Sequence, residues 1–165
     1  MGIKIIKQGI SSVEADAIVN PANEALQEGG GVCGILFREC GHRRELQEEC
    51  NKYGRCETGS AVLTKAYDLK AKYIIHAVGP IWRGGNNNEA ELLYNAYKSS
   101  LNLVKEYGLK SVVFPLISAG IFGYPVEEAW TVALTACNDF SKEYDIEIIF
   151  AVIDEKIYNV GQSLL

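Results

Sequence analysis

Two glycine-rich segments contain the residue types that bind anions through the backbone. The first, Gly29-Gly30-Gly31-Val32, precedes a predicted helix, and the second, residues 118–124 (Ser-Ala-Gly-Ile-Phe-Gly-Tyr), follows a predicted strand. Glycine lets backbone N–H groups approach a ligand closely, and a helix N-terminus favours negative charge. Two facing loops of this kind predict a site for a diphosphate group. A single run of three glycines, by contrast, is equally typical of a tight turn.

The familiar nucleotide-binding fingerprints do not occur in the sequence. A P-loop requires Gly-Lys followed by Ser or Thr, and a dinucleotide-binding fold requires G-x-G-x-x-G directly after the first strand. Here the first strand is followed by Gln8-Gly9-Ile10. The sequence therefore argues against a kinase-like protein or a Rossmann-type dehydrogenase.

Cys33 follows the first glycine segment, close to the start of the predicted helix. A cysteine at a helix N-terminus can have a lowered pKa and act as a nucleophilic thiolate. In that hypothesis His76 is its base, provided that the fold brings the two side chains together. The alternative, which we favour, is that Cys33 fills a small space beside the loop and that His76 is a buried histidine of an apolar strand.

Composition restricts the class of protein. The chain has 165 residues, of which 48% are hydrophobic and 22% charged, and this predicts one globular domain over residues 1–165. Its net charge of −5, from 16 basic and 21 acidic residues, argues against a nucleic acid or an anionic membrane as partner. No apolar run approaches the ~20 residues of a membrane span, and the N-terminus does not have the pattern of a signal peptide.

The cysteines and histidines indicate neither a metal site nor a disulfide framework. The chain has five cysteines without a C-x-x-C pair, and its two histidines, His42 and His76, are far apart in sequence. We therefore expect reduced cysteines, a cytoplasmic location, no structural metal and no tightly bound cofactor.

Strand-like and helix-like hydrophobic periods alternate along the chain, which predicts an α/β fold with a mainly parallel sheet. Strands are expected at residues 3–7, 16–19, 61–64, 73–78, 111–114 and 147–153. Helices are expected at about residues 34–51, from Glu89 to a stop at Gly108, from Pro125 through Phe140, and at the C-terminus. Pro21 is expected to end the second strand. In such a sheet the ligand crevice lies at the loops that leave the carboxyl ends of the strands.

Five segments, in this order and spacing, resemble the macro domain family over nearly the whole chain. They are residues Glu14–Asn23, Gly29–Val32, Cys56–Gly59, His76–Pro80 and Phe114–Pro125. The resemblance implies a three-layer α/β/α fold with a mixed, mostly parallel sheet. It also implies binding of ADP-ribose, and many members of the family remove ADP-ribosyl groups from proteins or deacetylate O-acetyl-ADP-ribose.

The resemblance also assigns roles to single positions. The two glycine-rich loops would hold the two phosphates, Asn23 would reach the distal ribose, and Phe122 would cover that ribose. Asn20 is interpreted as a brace of the loop. The ligand-binding positions that the resemblance implies are Gly9, Ile10, Asn23, Gly29, Gly30, Gly31, Val32, Ser118, Ala119, Gly120, Ile121, Phe122 and Ile153.

Two positions at the adenine end depart from the family pattern. The first strand of most members ends in Gly-Asp-Ile, and the Asp accepts a hydrogen bond from the adenine amino group; this chain has Gly9 in its place. Losing a charged acceptor costs about 1.5–3 kcal/mol, which is roughly one to two decades of affinity. Many members also stack an aromatic residue on adenine just before an Asp, where this chain has Ile153 before Asp154.

A third departure concerns catalysis. In the hydrolytic branch of the family the glycine run continues Val-Asp-Gly, and the Asp helps to position or activate water. This chain reads Val32-Cys33-Gly34. A thiol does not act as that carboxylate does, which leaves Asn23 and Cys33 as the candidate catalytic residues.

Three functions remain open from the sequence. The first is a binding module for ADP-ribose or a related nucleotide diphosphate, free or attached to a protein, with weak or no hydrolysis. The second is an enzyme that removes ADP-ribose or acetyl from ADP-ribose esters with the help of Asn23, bound water and the substrate's own phosphate. The third is a macro fold that has acquired a different ligand, since both adenine contacts are altered.

Overall fold

The computed structural model describes residues 2–165, which form a six-stranded sheet with helices on both faces. The strands are β1 (Ile3–Lys7), β2 (Ala17–Ala22), β3 (Ala61–Lys65), β4 (Tyr73–Val78), β5 (Ser111–Phe114) and β6 (Glu147–Val152). The helices are α1 (Gly31–Glu39), α2 (Arg43–Tyr53), α3 (Glu89–Glu106), α4 (Val126–Ser141) and α5 (Glu155–Leu164), and a short 3-10 helix spans Ile10–Ser12. Within residues 2–165, no helix combines the length and the apolar character needed to cross a membrane.

The strand order is β1-β6-β5-β2-β4-β3. Among the described strands, all neighbouring pairs are parallel except the β3–β4 pair. The prediction of a mixed, mostly parallel sheet is therefore confirmed. Because parallel strands point the same way, the carboxyl ends of β1, β2, β4, β5 and β6 all lie on one edge of the sheet.

Alternate side chains of the central strands point into two separate cores. On β5, Val112 and Phe114 pack with α3, α4 and α5, whereas Val113 between them packs with α1 and α2. Since both faces are covered, the strands are nearly continuous apolar runs, as expected for a buried parallel sheet. The three-layer α/β/α arrangement implied by the resemblance is confirmed.

The long helix expected at residues 34–51 is two helices, and this prediction was wrong. α1 begins at Gly31 and ends at Glu39, and α2 begins at Arg43. Gly41 between them has a φ of +72°, a left-handed conformation that ends a helix and that glycine adopts without strain. The hydrophobic period continues across the break because side chains of both helices face the same core, so periodicity alone does not reveal it.

Pro21 does not end β2, and this expectation was also wrong. β2 continues to Ala22 and remains paired with β4 over its whole length. On its other side, β2 pairs with β5 only at Ala17 and Ile18 in the described structure. A strand with one open edge tolerates proline, because a donor is not required on that edge.

Candidate functional site

The positions that the sequence analysis assigned to a ligand come together at the carboxyl edge of the sheet. Each segment leaves a parallel strand at that edge. Gly9 and Ile10 follow β1, Asn23 to Val32 follow β2, Ser118 to Phe122 follow β5, and Ile153 follows β6. This edge is where open α/β sheets bind ligands.

The two glycine-rich loops approach each other across this edge. A Cβ atom placed on Gly30 would lie 3.5 Å from Ile121 Cδ1, and one placed on Gly31 would lie 3.9 Å from the same atom. The Ile121 side chain is nevertheless 80% exposed. The Ile121 side chain therefore extends from the second loop to the first loop. Most of its surface remains accessible to solvent or to a ligand.

Gly34 permits the first loop to lie directly against α1. A Cβ atom on Gly34 would be 2.8 Å from the backbone oxygen of Gly29, which is closer than real Cβ contacts allow. Glycine at this position of α1 is thus required by the close approach of the loop. The sequence analysis did not single out Gly34, although the Gly-x-x-x-x-Gly spacing of Gly29 and Gly34 was visible.

Asn23 is oriented by hydrogen bonds within its own loop. Its Oδ1 accepts from the backbone N–H of Gln27 at 3.1 Å, and its Nδ2 donates to the backbone oxygen of Gln27 at 2.9 Å. Nδ2 would also lie 3.7 Å from a Cβ atom on Gly29, so the amide borders the first glycine-rich loop. One amide proton and one lone pair of Asn23 remain for a ligand.

The second loop is held by Ser118, which has a φ of +68°, an uncommon value for a residue other than glycine. Its buried hydroxyl donates to the backbone oxygen of Pro80 at 2.7 Å. Within the loop, Tyr124 N–H donates to Ser118 O at 2.9 Å, and Gly123 N–H donates to Gly120 O at 3.0 Å. The Ser118 side chain therefore stabilises the loop. The groups that remain for a ligand are the backbone of the loop and the side chains of the residues after Ser118.

Trp82 connects the second loop to the segment that follows β4. Its backbone N–H donates to Phe122 O at 2.8 Å, and its ring lies 4.7 Å from the ring of Tyr124, centroid to centroid. The sequence analysis did not assign Trp82 to the site. Its backbone N–H therefore helps to hold the backbone of Phe122 in place.

Glu89 is a second residue that the sequence analysis missed. Its side chain is only 2% exposed, and its carboxylate accepts backbone N–H groups from Arg83 (2.8 Å), Gly85 (3.0 Å) and Asn87 (2.6 Å). Burial alone would raise the pKa of Glu89, but these hydrogen bonds outweigh burial and lower the pKa to about 2. Glu89 therefore orders the polar loop next to Trp82.

Glu24 joins the segment after β2 to Thr58 and Arg55. Its carboxylate accepts from the Thr58 hydroxyl at 2.9 Å and from the Thr58 N–H at 3.1 Å, and it pairs with Arg55 at 3.0 Å. The hydrogen bonds from Thr58 lower the pKa of Glu24. The Cys56–Gly59 segment noted in the sequence thus acts by holding the loop that carries Asn23.

The environment of Cys33 argues against the hypothesis that it is an activated thiolate. Cys33 is buried, and burial raises its pKa, although the hydrogen bond from Gly29 N–H opposes this effect. Its Sγ accepts the Gly29 N–H at 3.4 Å. The favoured alternative, a cysteine that packs beside the loop, agrees with this environment.

His76 is not placed as a base for Cys33. Its Nδ1 lies 3.0 Å from Asn20 Nδ2, and its Nε2 lies 2.9 Å from Thr64 Oγ1 and 3.8 Å from Cys50 Sγ. Full burial lowers the pKa of His76 to about 3, so the ring is neutral at physiological pH. The contact of Asn20 with His76 agrees with the interpretation of Asn20 as a buried brace.

At the end of the site near β1 and β6, the side chains are small or apolar. Gly9 is exposed, and a Cβ atom there would meet nothing within 4 Å in the described structure. Ile153 is 74% exposed. Asp154 begins α5, where its carboxylate accepts from Ile157 N–H at 2.9 Å. Asp154 is therefore committed as a helix cap and does not replace a carboxylate at position 9.

No three His, Cys, Asp or Glu side chains in residues 2–165 are grouped in a way that could bind a metal ion. The five cysteines are free and buried.

Comparison with protein families and curated proteins gives a consistent result. The Macro domain family model matches residues 19–133. A macro domain-containing protein of Caldanaerobacter subterraneus subsp. tengcongensis is 48% identical over 161 residues, which cover 96% of this chain and 92% of that protein. An O-acetyl-ADP-ribose deacetylase of Citrobacter rodentium is 44% identical over 169 residues, which cover 99% of this chain and 94% of that protein.

Solved structures show the same similarity. The Oceanobacillus iheyensis macrodomain with ADP superposes with a TM-score of 0.90 at 35% identity, covering 96% of this chain and 87% of that one. The Trypanosoma brucei macrodomain in complex with ADP-ribose gives a TM-score of 0.90 at 34% identity, covering 98% of this chain and 68% of that one.

Proposed function

This chain belongs to the macro domain family, and we propose that it binds ADP-ribose or a closely related nucleotide diphosphate with weak or no hydrolysis. The observation that carries the proposal is the approach of the two glycine-rich loops, where Ile121 Cδ1 lies 3.5 Å from the Cβ position of Gly30. A diphosphate between the loops would meet backbone N–H groups from both sides and the N-terminus of α1.

Backbone donors suit this protein because the loops themselves contain no basic side chain. Residues 29–32 and 118–124 contain neither Lys nor Arg, and the whole chain has a net charge of −5. A phosphate would therefore be held by backbone N–H groups and the helix dipole. Such a site accepts a small anion while the protein as a whole does not attract polyanions such as nucleic acid.

The distal ribose is proposed to lie between Asn23 and Phe122. Asn23 has one amide proton and one acceptor lone pair left for ribose hydroxyls, and its orientation is already fixed by Gln27. Phe122, supported by Trp82, would cover the sugar. Because this end of the site faces solvent, the ribose of a protein-linked ADP-ribose group would also fit, and ADP-ribosylated proteins are the proposed macromolecular partners.

Deacetylation of O-acetyl-ADP-ribose is the second candidate function. It is favoured by the Citrobacter rodentium deacetylase, which is 44% identical to this chain. Cys33 argues against efficient hydrolysis, because its buried thiol has a raised pKa and this position lacks a carboxylate that could activate water. Any hydrolysis would depend on Asn23, a bound water and the phosphate of the substrate.

Titration calorimetry tests the binding proposal. We expect ADP-ribose to bind in the micromolar range and more tightly than ADP, with AMP and ribose 5-phosphate as weaker comparators, because the second phosphate and the distal ribose each add contacts. Absence of ADP-ribose binding at millimolar concentration would refute the proposal. It would favour the remaining hypothesis that Gly9 and Ile153 belong to a site for a different ligand.

A turnover assay on O-acetyl-ADP-ribose separates the binding module from the enzyme. We expect little turnover by the wild-type chain and a higher rate for Cys33→Asp, which supplies the carboxylate of the hydrolytic branch of the family. Cys33→Ser is the matched control, since it changes the thiol without adding a charge. Fast wild-type turnover would establish the deacetylase function instead.

A further inference from the structure

The side-chain amide of Gln47 lies against the segment that connects Asn23 to the first glycine-rich loop. Gln47 belongs to α2 and is partly buried. Its Nε2 donates to Leu26 O at 2.9 Å, and its Oε1 accepts from Glu28 N–H at 3.0 Å. One side chain of α2 thus bonds both an acceptor and a donor of the loop backbone.

The Asn23 side chain makes the same kind of contact with Gln27, the residue between these two. Its Oδ1 accepts from Gln27 N–H at 3.1 Å, and its Nδ2 donates to Gln27 O at 2.9 Å. In a planar trans peptide the C=O and the N–H point in opposite directions. The two peptide units that flank Gln27 are therefore bonded to Asn23 on one side and to Gln47 on the other.

The orientation of the Gln47 amide is unambiguous, because Leu26 offers it a carbonyl and Glu28 offers it an N–H. The second proton of Gln47 Nε2 is donated to Asn51 Oδ1 at 2.9 Å, one turn further along α2. Asn51 Oδ1 also accepts from Gln27 Nε2 at 3.1 Å. Both amide protons of Gln47 are thus used within the protein.

The backbone conformation of Leu26 explains why the segment needs this support. Leu26 has a φ of +55°, which is uncommon for a residue other than glycine. Such a conformation persists only where the surrounding structure fixes it. The Leu26 side chain is buried in the same core as Leu46, the residue before Gln47 in α2. The helix therefore holds residue 26 through both its side chain and its carbonyl.

We propose that Gln47 is a positioning residue, which sets the orientation of the Asn23 side chain through the backbone of residues 26–28. Its amide bonds the loop and not the ligand. The consequence for the distal ribose rests on the proposed function, in which Asn23 bonds the ribose hydroxyls. The effect on the loop itself does not, and this allows the two to be tested separately.

Hydrogen–deuterium exchange of the Gln27 and Glu28 amides, followed by NMR in the ligand-free protein, tests the positioning directly. Gln47→Met keeps the length of the side chain and removes its hydrogen-bonding groups. We expect Glu28 N–H to exchange roughly five- to tenfold faster, as for the loss of one hydrogen bond. Gln27 N–H is bonded to Asn23 and not to Gln47, so faster exchange of this group reports that the Asn23 contact has loosened.

Gln162→Met is the matched control. Gln162 belongs to α5, which packs on the opposite face of the sheet, and its Nε2 donates to Tyr158 Oη at 2.8 Å and to Ile5 O at 3.5 Å. The same substitution there also removes side-chain hydrogen bonds, so it can lower Tm. We expect it to leave the exchange of Gln27 and Glu28 at wild-type rates.

Asn51→Ala is a second test of the same contact. Asn51 is exposed, so the core is not changed, but the substitution removes the acceptor of Gln47 Nε2. We expect faster exchange of Gln27 and Glu28 than in the wild type and slower exchange than in Gln47→Met, because the contacts of Gln47 with the backbone remain.

Calorimetry with ADP-ribose and ADP tests the consequence for the ligand. ADP has no distal ribose, so the ratio of the two affinities reports on Asn23. We expect Gln47→Met to weaken ADP-ribose binding roughly three- to tenfold, as for one hydrogen bond, and to leave ADP binding nearly unchanged. Gln162→Met should keep the wild-type ratio. In an Asn23→Ala background, Gln47→Met should not lower the ratio further, since the two residues act as a pair.

Two results would overturn the proposal. In the first, Gln27 exchanges at the wild-type rate in both Gln47→Met and Asn51→Ala, so that Gln47 does not act on the Asn23 contact. In the second, Gln47→Met leaves the ratio of ADP-ribose to ADP affinity unchanged, so that Gln47 does not act on the distal ribose. If the wild-type chain does not bind ADP-ribose, the proposed function fails, while the exchange rate of Gln27 still decides the positioning of Asn23.

Discussion

Gly9 stands where the family pattern has an Asp that accepts a hydrogen bond from the adenine amino group. A side chain at this position would meet nothing within 4 Å among the described residues, and its φ of −63° suits any residue. The carboxylate of Asp154, the acidic residue that directly follows Ile153, already accepts a hydrogen bond from Ile157 N–H. Position 9, at the proposed adenine end of the site, therefore has room for a carboxylate.

We predict that Gly9→Asp tightens ADP-ribose binding by roughly one to two decades, because a charged acceptor gains about 1.5–3 kcal/mol from the adenine amino group. Calorimetry with ADP-ribose and with ribose 5-phosphate measures the effect. The gain should appear for ADP-ribose and not for ribose 5-phosphate, which has no base.

Gly2→Asp is the matched control for this prediction. Gly2 lies at the opposite end of β1, is exposed, and also has open space around its Cβ position. It adds the same charge far from the site, so it should leave affinity unchanged. Equal affinities of Gly9→Asp and the wild-type chain would show that the base does not lie beside position 9.

Residue types alone indicated the two glycine-rich loops and favoured a packing role for Cys33, but they did not decide the chemistry of that thiol. Glycines in loops after strands indicated backbone anion binding, since this property follows from the absence of a side chain. The chemistry of Cys33 was not predictable in the same way, because its pKa is raised by burial. Burial depends on residues that are distant in the sequence.

At the scale of elements, the close contact between α1 and the first glycine-rich loop determines where the loop lies. Gly34 allows the contact, since its Cβ position is 2.8 Å from Gly29 O. A comparable contact far from the site occurs at Gly161 of α5, whose Cβ position is 2.7 Å from the Trp130 ring. The two glycines form a natural pair for comparison.

We predict that Gly34→Ala and Gly161→Ala each destabilise the protein by about 1–3 kcal/mol, since overpacking outweighs the gain in helix propensity. Gly34→Ala alone should also weaken ADP-ribose binding, because the displaced atom is the carbonyl of Gly29. Chemical denaturation and calorimetry measure the two effects. If both variants bind like the wild type, the contact of α1 with the loop has no role in the site.

The two larger errors in the predicted elements are a missed break between helices and a misplaced end of a strand. Strand positions followed from short apolar runs, because a buried parallel sheet requires them. The break at Gly41 was missed because α1 and α2 face the same core and preserve the helical period. The end of β2 was misplaced because a strand tolerates proline where one of its edges is unpaired. Beyond Ile18, where the pairing with β5 ends, that edge of β2 is unpaired.

At the scale of the whole molecule, the buried carboxylate of Glu89 makes the stability of the folded protein depend on pH. Its folded pKa of about 2 lies below its ordinary value of 4.5, so its contribution to stability is fully present above pH 4.5. That contribution is lost as the pH falls through about 2, since the unfolded chain then binds the proton more readily.

We predict that Glu89→Gln lowers Tm at neutral pH and that the difference from the wild type becomes smaller between pH 4.5 and pH 2. Thermal unfolding across this pH range measures it. Glu91→Gln is the control, because Glu91 occupies the same first turn of α3 but is exposed. A constant difference over the whole range would mean that Glu89 stabilises the loop without its charge.

The sequence by itself determined the α/β class, the mostly parallel sheet and the two glycine-rich loops, because periodicity and the conformational properties of glycine act over short stretches of chain. The family followed from the resemblance of five segments in their order and spacing. Only the tertiary structure decided the pairing of Asn20 with His76, which are 56 residues apart, the environment of Cys33, and the contact of Ile121 with Gly30. These depend on how strands from distant parts of the chain align, and therefore on packing that no local pattern encodes.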